Sequence, residues 1–113
     1  MKNSYLEGVI AEDTALDYLR DQGLILVQKN FHSRFGEIDL IMMDGIITVF
    51  VEVRKRCSGI DSAIESVTPS KQRKLIKAAE YYMLKSGFDI ACRFDLIAMD
   101  KNSQIQWLKN IIN

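Results

Sequence analysis

Proline and glycine are scarce in this chain. Its 113 residues include one proline and six glycines, whereas 48% of them are hydrophobic. A disordered chain has the opposite balance, because it is rich in proline, glycine and charge and poor in residues that can form a core. The length fits one domain with one core, and we therefore expect residues 1–113 to fold as a single domain.

Long apolar runs are also missing. No stretch approaches the roughly 20 apolar residues that a membrane-spanning helix needs, and the opening MKNSYLEG lacks the apolar segment of a secretory signal. Only two cysteines occur, Cys57 and Cys92, and their spacing is not that of a metal site. Such cysteines are typical of free thiols in a reducing compartment. We expect a cytoplasmic protein that does not associate with membranes.

An excess of either charge is absent as well. Fifteen basic residues balance fifteen acidic ones, so the formal net charge is zero. This balance excludes binding of nucleic acid through overall charge, and any such binding must come from a local basic patch. The sequence also contains no glycine-rich phosphate loop, no CxxC pair and no Ser-His-Asp order, and so gives no support to a small-molecule enzyme.

The most informative stretch covers residues 36–56, GEIDLIMMDGIITVFVEVRKR. Two runs of strand-forming residues flank Asp44-Gly45. An Asp-Gly pair in this position is a strong signal for a β-hairpin, because both residues tolerate the positive φ of a tight turn. With Met43 paired to Ile46 across a two-residue loop, the stretch is predicted to form two antiparallel strands.

Acidic side chains share one face of this predicted hairpin. Because side chains alternate along a strand, that face carries Glu37, Asp39, Glu52 and Arg54. In the predicted register Asp39 and Glu52 are diagonal neighbours, roughly 7–8 Å apart at the backbone. Adjacent like charges are destabilising, so a positive group should lie between them, either Arg54 or a divalent cation such as magnesium or manganese. The alternative is an ordinary solvated face.

A third carboxylate comes from the first predicted helix, at residues 5–22. On a helical wheel Glu12 falls near the middle of the apolar face. A carboxylate in that position must be paired, protonated or bound to a metal, unless it lies at the helix edge and reaches water.

Basic and aromatic residues mark two further segments. The loop NFHSRFG at residues 30–36 combines two aromatic rings with Arg34, a combination that can hold a phosphate and stack a base. Thr68-Pro69 is predicted to open a helix that runs to about Ser86. Lys71 and Gln72 lie in its first turn and are expected to lean towards the sheet.

The order of elements completes the picture. A covered strand at residues 90–99 contains Arg93 and Asp95, which are expected to pair with each other or with neighbours, and an edge strand follows around Trp107. Helix, strand, hairpin, helix, strand and strand together predict an α/β sandwich, in which a mixed sheet carries a helix on each face.

Five motifs carry a resemblance to a known family. They are Gly8-x-x-Ala11-Glu12, GEIDLI, VFVEVR, SVTPSKQRKL and RFDLIA, and they occur in this order over nearly the whole chain. The chain resembles the YraN-like family of uncharacterised bacterial proteins. That family is similar to the restriction-endonuclease-like superfamily, with its PD-(D/E)XK signature, and to archaeal Holliday junction resolvases. The resemblance implies one endonuclease-like domain, a three-layer sandwich whose central mixed five-stranded sheet is flanked by helices.

The resemblance also implies a metal site. Asp39 matches the signature aspartate, Glu52 the (D/E), Val53 the X, and Glu12 the helix-borne acid of the resolvase-like branch. Mg²⁺ or Mn²⁺ would be held by Asp39, Glu52 and the Val53 carbonyl, with Glu12 as a direct or water-mediated ligand. Arg54 stands where the signature has lysine.

Arginine at the lysine position changes the expected chemistry. Arginine stays charged and cannot act as a general base, although it can stabilise charge that develops on a phosphate. Lys71, entering from the helix, is the expected substitute for the missing lysine.

Two functions are therefore expected. The first is a Mg²⁺-dependent nuclease that hydrolyses phosphodiesters in DNA, including branched or repair intermediates, with Asp39, Glu52, Arg54 and Lys71 as its catalytic residues. The alternative is a non-catalytic nucleic-acid-binding or protein-interaction module, in which Arg54 pairs with Asp39 or Glu52 and leaves no room for metal. The expected DNA contacts are Arg34, Arg56, Lys71, Gln72 and Lys74. A homodimer is expected by analogy with the resolvases.

Overall fold

The computed structural model describes residues 4–87 and 90–112 as a five-stranded mixed sheet between helices. Its elements are α1 (Ser4–Asp21), β1 (Ile25–Ser33), β2 (Gly36–Asp44), β3 (Ile47–Lys55), α2 (Ile60–Glu65), α3 (Pro69–Ser86), β4 (Cys92–Met99) and β5 (Ile105–Leu108). The strands follow the order β1-β2-β3-β4-β5, and β3 and β4 form the parallel pair. The predicted α/β sandwich with a five-stranded mixed sheet is confirmed.

Each face of the sheet has its own apolar core. On the α1 side, Leu19 packs with Leu40, Val51 and Ile97, all of which are fully buried. On the other side α3 and α2 cover a second set of side chains that includes Phe50. Burial of one such side chain contributes about 1.5–3 kcal/mol, so the two layers of helices stabilise the sheet from both sides.

Helix α3 begins where the sequence predicts. Thr68 caps it by accepting a hydrogen bond from the backbone N–H of Lys71 at 3.2 Å, and Pro69 is its first residue. The short helix α2 precedes it at Ile60–Glu65.

The register of the β2–β3 hairpin differs from the predicted one. Met43 pairs with Thr48 rather than with Ile46, which leaves Gly45 and Ile46 in the loop. Gly45 adopts a φ of 62°, and Ile46 is 86% exposed. The shift amounts to two residues and so preserves which side chains share a face over the paired positions from Leu40 to Asp44, because strand side chains alternate with a period of two. Before Leu40 the alternation breaks, since Ile38 packs with Ile41 and Phe50 rather than with Leu40.

The corrected register changes the relation between the two acids. The last β2–β3 pair is Leu40 with Val51, and the next position along the hairpin sets Asp39 opposite Glu52 rather than diagonal to it. Beyond this point β2 pairs with β1 as far as Gly36, while β3 continues beside β4. The two strands therefore separate next to the acids, and a gap opens in the sheet.

A buried carboxylate holds the C-terminal part of the chain. Asp95 is 1% exposed and accepts hydrogen bonds from Arg93 Nε, Trp107 Nε1 and the backbone N–H of Asn110, each at about 3 Å. Arg93 also lies 2.8 Å from Asp44 Oδ2. The expected pairing of Arg93 with Asp95 is confirmed, and it forms one part of a network that joins β4, β5 and the tail.

Two simpler expectations concern membranes and thiols. Among the described residues, no helix is long and apolar enough to cross a bilayer. Cys57 and Cys92 are both free and exposed.

Candidate functional site

Asp39 and Glu52 form a close pair where β2 and β3 separate. Asp39 Oδ2 accepts a hydrogen bond from the backbone N–H of Val53 at 2.8 Å, so the side chain bonds across the gap between the two strands. Glu52 is 3% exposed, and its carboxylate is close enough to that of Asp39 to share a hydrogen bond when one of the two is protonated. A hydrogen bond between two carboxyl groups needs a proton on one of them.

The environment places that proton on Asp39. Burial, together with the hydrogen bond and charge of Glu52, raises the pKa of Asp39 to about 9, against the opposing effect of the Val53 N–H. Burial alone would also raise the pKa of Glu52, but the hydrogen bond from Asp39 and the charges of Arg54 and Lys71 lower it overall. At neutral pH the pair therefore carries one proton and one negative charge.

Two cations balance the charge of Glu52. Arg54 Nη2 lies 2.9 Å from Glu52 Oε2, and Lys71 Nζ lies 3.4 Å from the same oxygen. Arg54 reaches Glu52 from two residues along β3, whereas Lys71 comes from the first turn of α3. The prediction that Lys71 leans towards the sheet is confirmed, and Arg54, one of the two positive groups expected beside the acids, contacts Glu52.

Glu12 approaches the pair from the α1 side of the sheet. Its side chain is half-buried, and burial raises its pKa against the effects of an Asn30 hydrogen bond and the Lys29 charge. The charge of Glu52 raises that pKa further, so the two carboxylates are close enough to interact. Glu12 and Asp39 line the same cavity, which shows that this acid is not simply turned to solvent.

That cavity has a volume of about 460 Å³ and lies between α1 and the end of β3. Both acidic and basic residues line it. Its lining includes Glu12, Asp39, Arg54, Lys55, Arg56 and Lys101. A cavity with carboxylates beside cations has the polarity expected of a site for a phosphate group and a metal ion.

The donor atoms suit a hard divalent cation only in part. Within residues 4–87 and 90–112, no three acidic, histidine or cysteine side chains come together as a metal-ligand group. Asp39 and Glu52 form a two-carboxylate set of the oxygen type that magnesium accepts, usually with several waters. Glu12 stands apart from them, and the group of Val53 that contacts Asp39 is its N–H. The residues therefore fit an ion held mainly by Asp39 and Glu52.

The predicted nucleic-acid contacts lie in different places. Arg56 lines the cavity and donates a hydrogen bond to the carbonyl of Lys55 at 2.9 Å. Gln72 does not extend into it but donates to the carbonyl of Val67 at 3.2 Å, where it fixes the turn between α2 and α3. Arg34 and Lys74 are exposed on a separate surface next to the β1–β2 turn.

Sequence reasoning missed three participants. Asn30, which has a φ of 51°, lies near Glu12 and lowers the pKa of that carboxyl against the effect of burial. Tyr81 and Lys77 of α3 face the β1–β2 turn at Phe35, the second aromatic of NFHSRFG. The sequence did hold a signal for Lys77 and Tyr81. Both lie three or four residues from other lysines of α3, and residues at that spacing share one side of a helix.

Replacing Asp39 with asparagine is expected to stabilise the metal-free protein by about 1–3 kcal/mol at pH 8.5, and by less at pH 5. Asparagine resembles the protonated carboxyl, since its amide can donate to Glu52 while its oxygen accepts from Val53. The wild-type Asp39 has a folded pKa of about 9 against an ordinary value of 3.8. Its contribution to stability is therefore complete at low pH and falls as pH rises towards 9.

Urea denaturation with a chelator present, at several pH values between 5 and 9, measures this difference. The lowered pKa of Glu52 acts in the opposite direction but only below its ordinary value of 4.5, outside this range. Asp13→Asn is the matched control, because this exposed acid pairs with Lys29 at the surface. A wild-type stability that does not decline relative to Asp39→Asn would show that Asp39 is ionised at neutral pH.

Comparison with known proteins gives one consistent result. Residues 11–99 match the model of a family described as the uncharacterised protein family UPF0102. A UPF0102 protein of Herminiimonas arsenicoxydans is 50% identical over 106 residues, which cover 93% of this chain and 85% of that protein. A UPF0102 protein of Nitrosomonas eutropha is 45% identical, with 97% and 96% covered, and one of Coxiella burnetii is 47% identical, with 93% and 90% covered.

Proposed function

We propose that this chain, which belongs to the uncharacterised protein family UPF0102, is a metal-dependent phosphodiesterase that acts on DNA. The description of the family names no activity, so the proposal is based on the site. The predicted YraN-like family is confirmed by the comparisons. The observation that carries the proposal is the pair formed by buried Glu52 and partly buried Asp39 at the point where β2 and β3 separate.

Burying such a pair costs stability that a purely structural role does not require. Two carboxylates opposite each other in a sheet repel, and a buried charge needs compensation. In this protein the compensation consists of one proton on Asp39 and two cations on Glu52. Groups whose environments shift their pKa values apart, beside a cavity, are typical of functional sites.

The residues divide into three roles in this proposal. Asp39 and Glu52 would hold Mg²⁺ or Mn²⁺, with Glu12 acting through a water, since it stands apart from the pair. When bound, the ion would lower the pKa of a water and polarise the scissile phosphate. Arg54 and Lys71 would stabilise the charge that develops on the phosphate, and Arg56 at the cavity would contact the backbone of DNA.

One observation favours the non-catalytic alternative. Arg54 and Lys71 both reach the same oxygen of Glu52, at 2.9 and 3.4 Å. For Glu52 to ligate a metal, at least one of these side chains must turn towards a phosphate instead. Both are partly exposed, at 20% and 30%, and therefore lose little when they turn. If Arg54 and Lys71 always stay on Glu52, no metal binds there, and the protein would bind DNA without cleaving it.

Calorimetric titration with Mn²⁺ separates the two functions. The nuclease proposal expects binding by the wild type that is lost in Asp39→Asn, because the amide removes an anionic ligand while preserving shape. Asp13→Asn serves as the surface control and is expected to bind Mn²⁺ like the wild type. Absence of Mn²⁺ binding at millimolar concentration would reject the enzyme and leave the binding module.

A further inference from the structure

We propose that a second site, on the outer side of α3 and the β1–β2 turn, stacks unpaired bases of single-stranded DNA. We call it the aromatic platform, and it consists of Arg34, Phe35, Lys77, Tyr81 and Lys85. It is distinct from the cavity beside Asp39 and Glu52, and no part of the nuclease proposal uses its two rings.

The geometry of the rings fits a planar ligand. The centroids of Phe35 and Tyr81 are 6.3 Å apart, and the rings are inclined by 62°. They line a depression of about 390 Å³ together with Lys77, Glu80 and Leu84. Aromatic side chains arranged around an open depression are the usual means by which proteins stack exposed bases.

Tyr81 packs against the edge of the α3-side core, and Phe35 lies beyond that core. Phe31, two residues before the end of β1, is buried and packs on Tyr82 at 5.3 Å and on Tyr81 at 6.2 Å between ring centroids. Phe35 and Tyr81 are instead half-exposed, and Leu84 beside them is 59% exposed. An apolar surface of this kind, rimmed by charged residues, marks a binding site rather than core packing.

The charges around the rings select a polyanion. The Arg34 guanidinium lies 4.9 Å from the centre of the Phe35 ring, Lys77 Nζ lies 6.0 Å from the same centre, and Lys85 Nζ lies 4.8 Å from that of Tyr81. Glu80 is the acid that lines the depression, so three cations stand against one anion. Cations beside aromatic faces allow phosphates and bases to be held together.

The β1–β2 turn is fixed against α3, which makes the platform a rigid unit. Gly36 packs so closely on α3 that a Cβ at this position would lie 3.3 Å from the Cβ of Lys74. Any other residue would push against Lys74 and be strained at the φ of 154°, so glycine favours the contact that sets Phe35 beside Tyr81. The platform therefore exists before any ligand binds.

One side of α3 connects the platform with the candidate active site. Lys71, Lys74, Lys77, Tyr81 and Lys85 recur every three or four residues and so share a side of the helix. Lys71 contacts Glu52 at one end. Ten residues separate Lys71 from Tyr81, about 15 Å along a helix, which corresponds to about four stacked nucleotides at about 3.4 Å each. The part of the inference that relates this distance to cleavage rests on the proposed function, whereas binding to the platform does not.

Fluorescence anisotropy with a labelled 12-nucleotide oligo(dT), measured with a chelator present, tests the platform without any cleavage. Phe35→Ala and Phe35→Leu are both expected to weaken binding about tenfold, whereas Phe35→Trp retains it, because only an aromatic face stacks a base. Lys77→Gln is expected to lower the slope of log affinity against log salt concentration by about 0.7. Leucine preserves the apolar contact with Tyr81 and so controls for folding.

A blunt duplex of 12 base pairs is the second control. Its bases are already stacked, and Phe35→Ala is expected to leave its affinity unchanged. Equal losses on duplex and single strand, wild-type affinity of Phe35→Leu for oligo(dT), or no binding of oligo(dT) at all would each overturn the platform. If the aromatic dependence is found but no variant or wild-type protein cleaves DNA, the platform stands and the nuclease proposal alone fails.

Discussion

Replacing Glu52 with glutamine is expected to reduce metal-dependent cleavage of DNA by at least about 10³-fold. The carboxylate would hold the metal ion, and the ion contributes several kcal/mol to stabilising charge in the transition state, where each 1.36 kcal/mol corresponds to a factor of ten. Glutamine has nearly the same shape and keeps an acceptor for Arg54 and Lys71, so the loss should appear in the rate rather than in folding. Cleavage of linear and branched DNA with Mg²⁺ or Mn²⁺ measures it.

The matched control is Glu65→Gln, at an exposed acid of α2 away from the cavity. This variant is expected to cleave like the wild type. Lys71→Gln should give an intermediate loss, because Arg54 remains to stabilise the phosphate. Cleavage by Glu52→Gln at the wild-type rate would identify a contaminating nuclease or a site elsewhere, and in either case would remove Glu52 from the mechanism.

Replacing Asp95 with alanine is expected to lower the free energy of unfolding by about 3–5 kcal/mol. Asp95 is 1% exposed and is the common acceptor for Arg93, Trp107 and the backbone of Asn110. Without Asp95, the largely buried Arg93 guanidinium keeps Asp44 as its acidic partner, and the N–H groups of Trp107 and Asn110 lose their acceptor. Each of these losses lowers stability. Urea denaturation at pH 7 gives the difference directly.

Asp44→Asn tests whether the loss belongs to the buried end of this network. Asp44 contacts the same arginine at 2.8 Å, but its side chain is 38% exposed. Exposed ion pairs contribute about 0–1 kcal/mol, so Asp44→Asn should cost far less than Asp95→Ala. Similar losses in the two variants would mean that Arg93, rather than the acceptor site of Asp95, governs stability.

The site was predictable to the extent that it depends on alternation along strands. Asp39, Glu52 and Arg54 were grouped on one face from the period of two, and the two-residue error in register did not separate them, because Asp39 bonds to Val53 and Arg54 contacts Glu52. The relation between Asp39 and Glu52 was predicted wrongly, as diagonal rather than directly opposite. The turn caused this error. The loop consists of Gly45, with its positive φ, and the exposed Ile46, rather than of Asp44 and Gly45 as predicted.

Contacts between segments that are distant in the chain were harder to predict from the sequence. Lys71 was expected to lean towards the sheet, but its contact with Glu52 joins α3 to β3, and no local pattern specifies such a partner. Gln72, one residue further, was expected at the DNA and instead fixes the turn before α3. Neighbouring positions on a helix differ by about 100° in direction, and small differences in packing decide which of them reaches the site.

The sequence by itself determined the elements, the two-faced hairpin, the start of α3 and the family, because all of these depend on residues that are close in the chain. Only the tertiary structure decided where β2 and β3 separate, that Asp39 bonds to Val53 across the gap, that Glu52 has two cations, and that Phe35 meets Tyr81. The pKa of a carboxyl depends on burial and on charges from other elements. These become fixed only when the layers pack together, so the chemistry of the acid pair could not be obtained from its position in the chain.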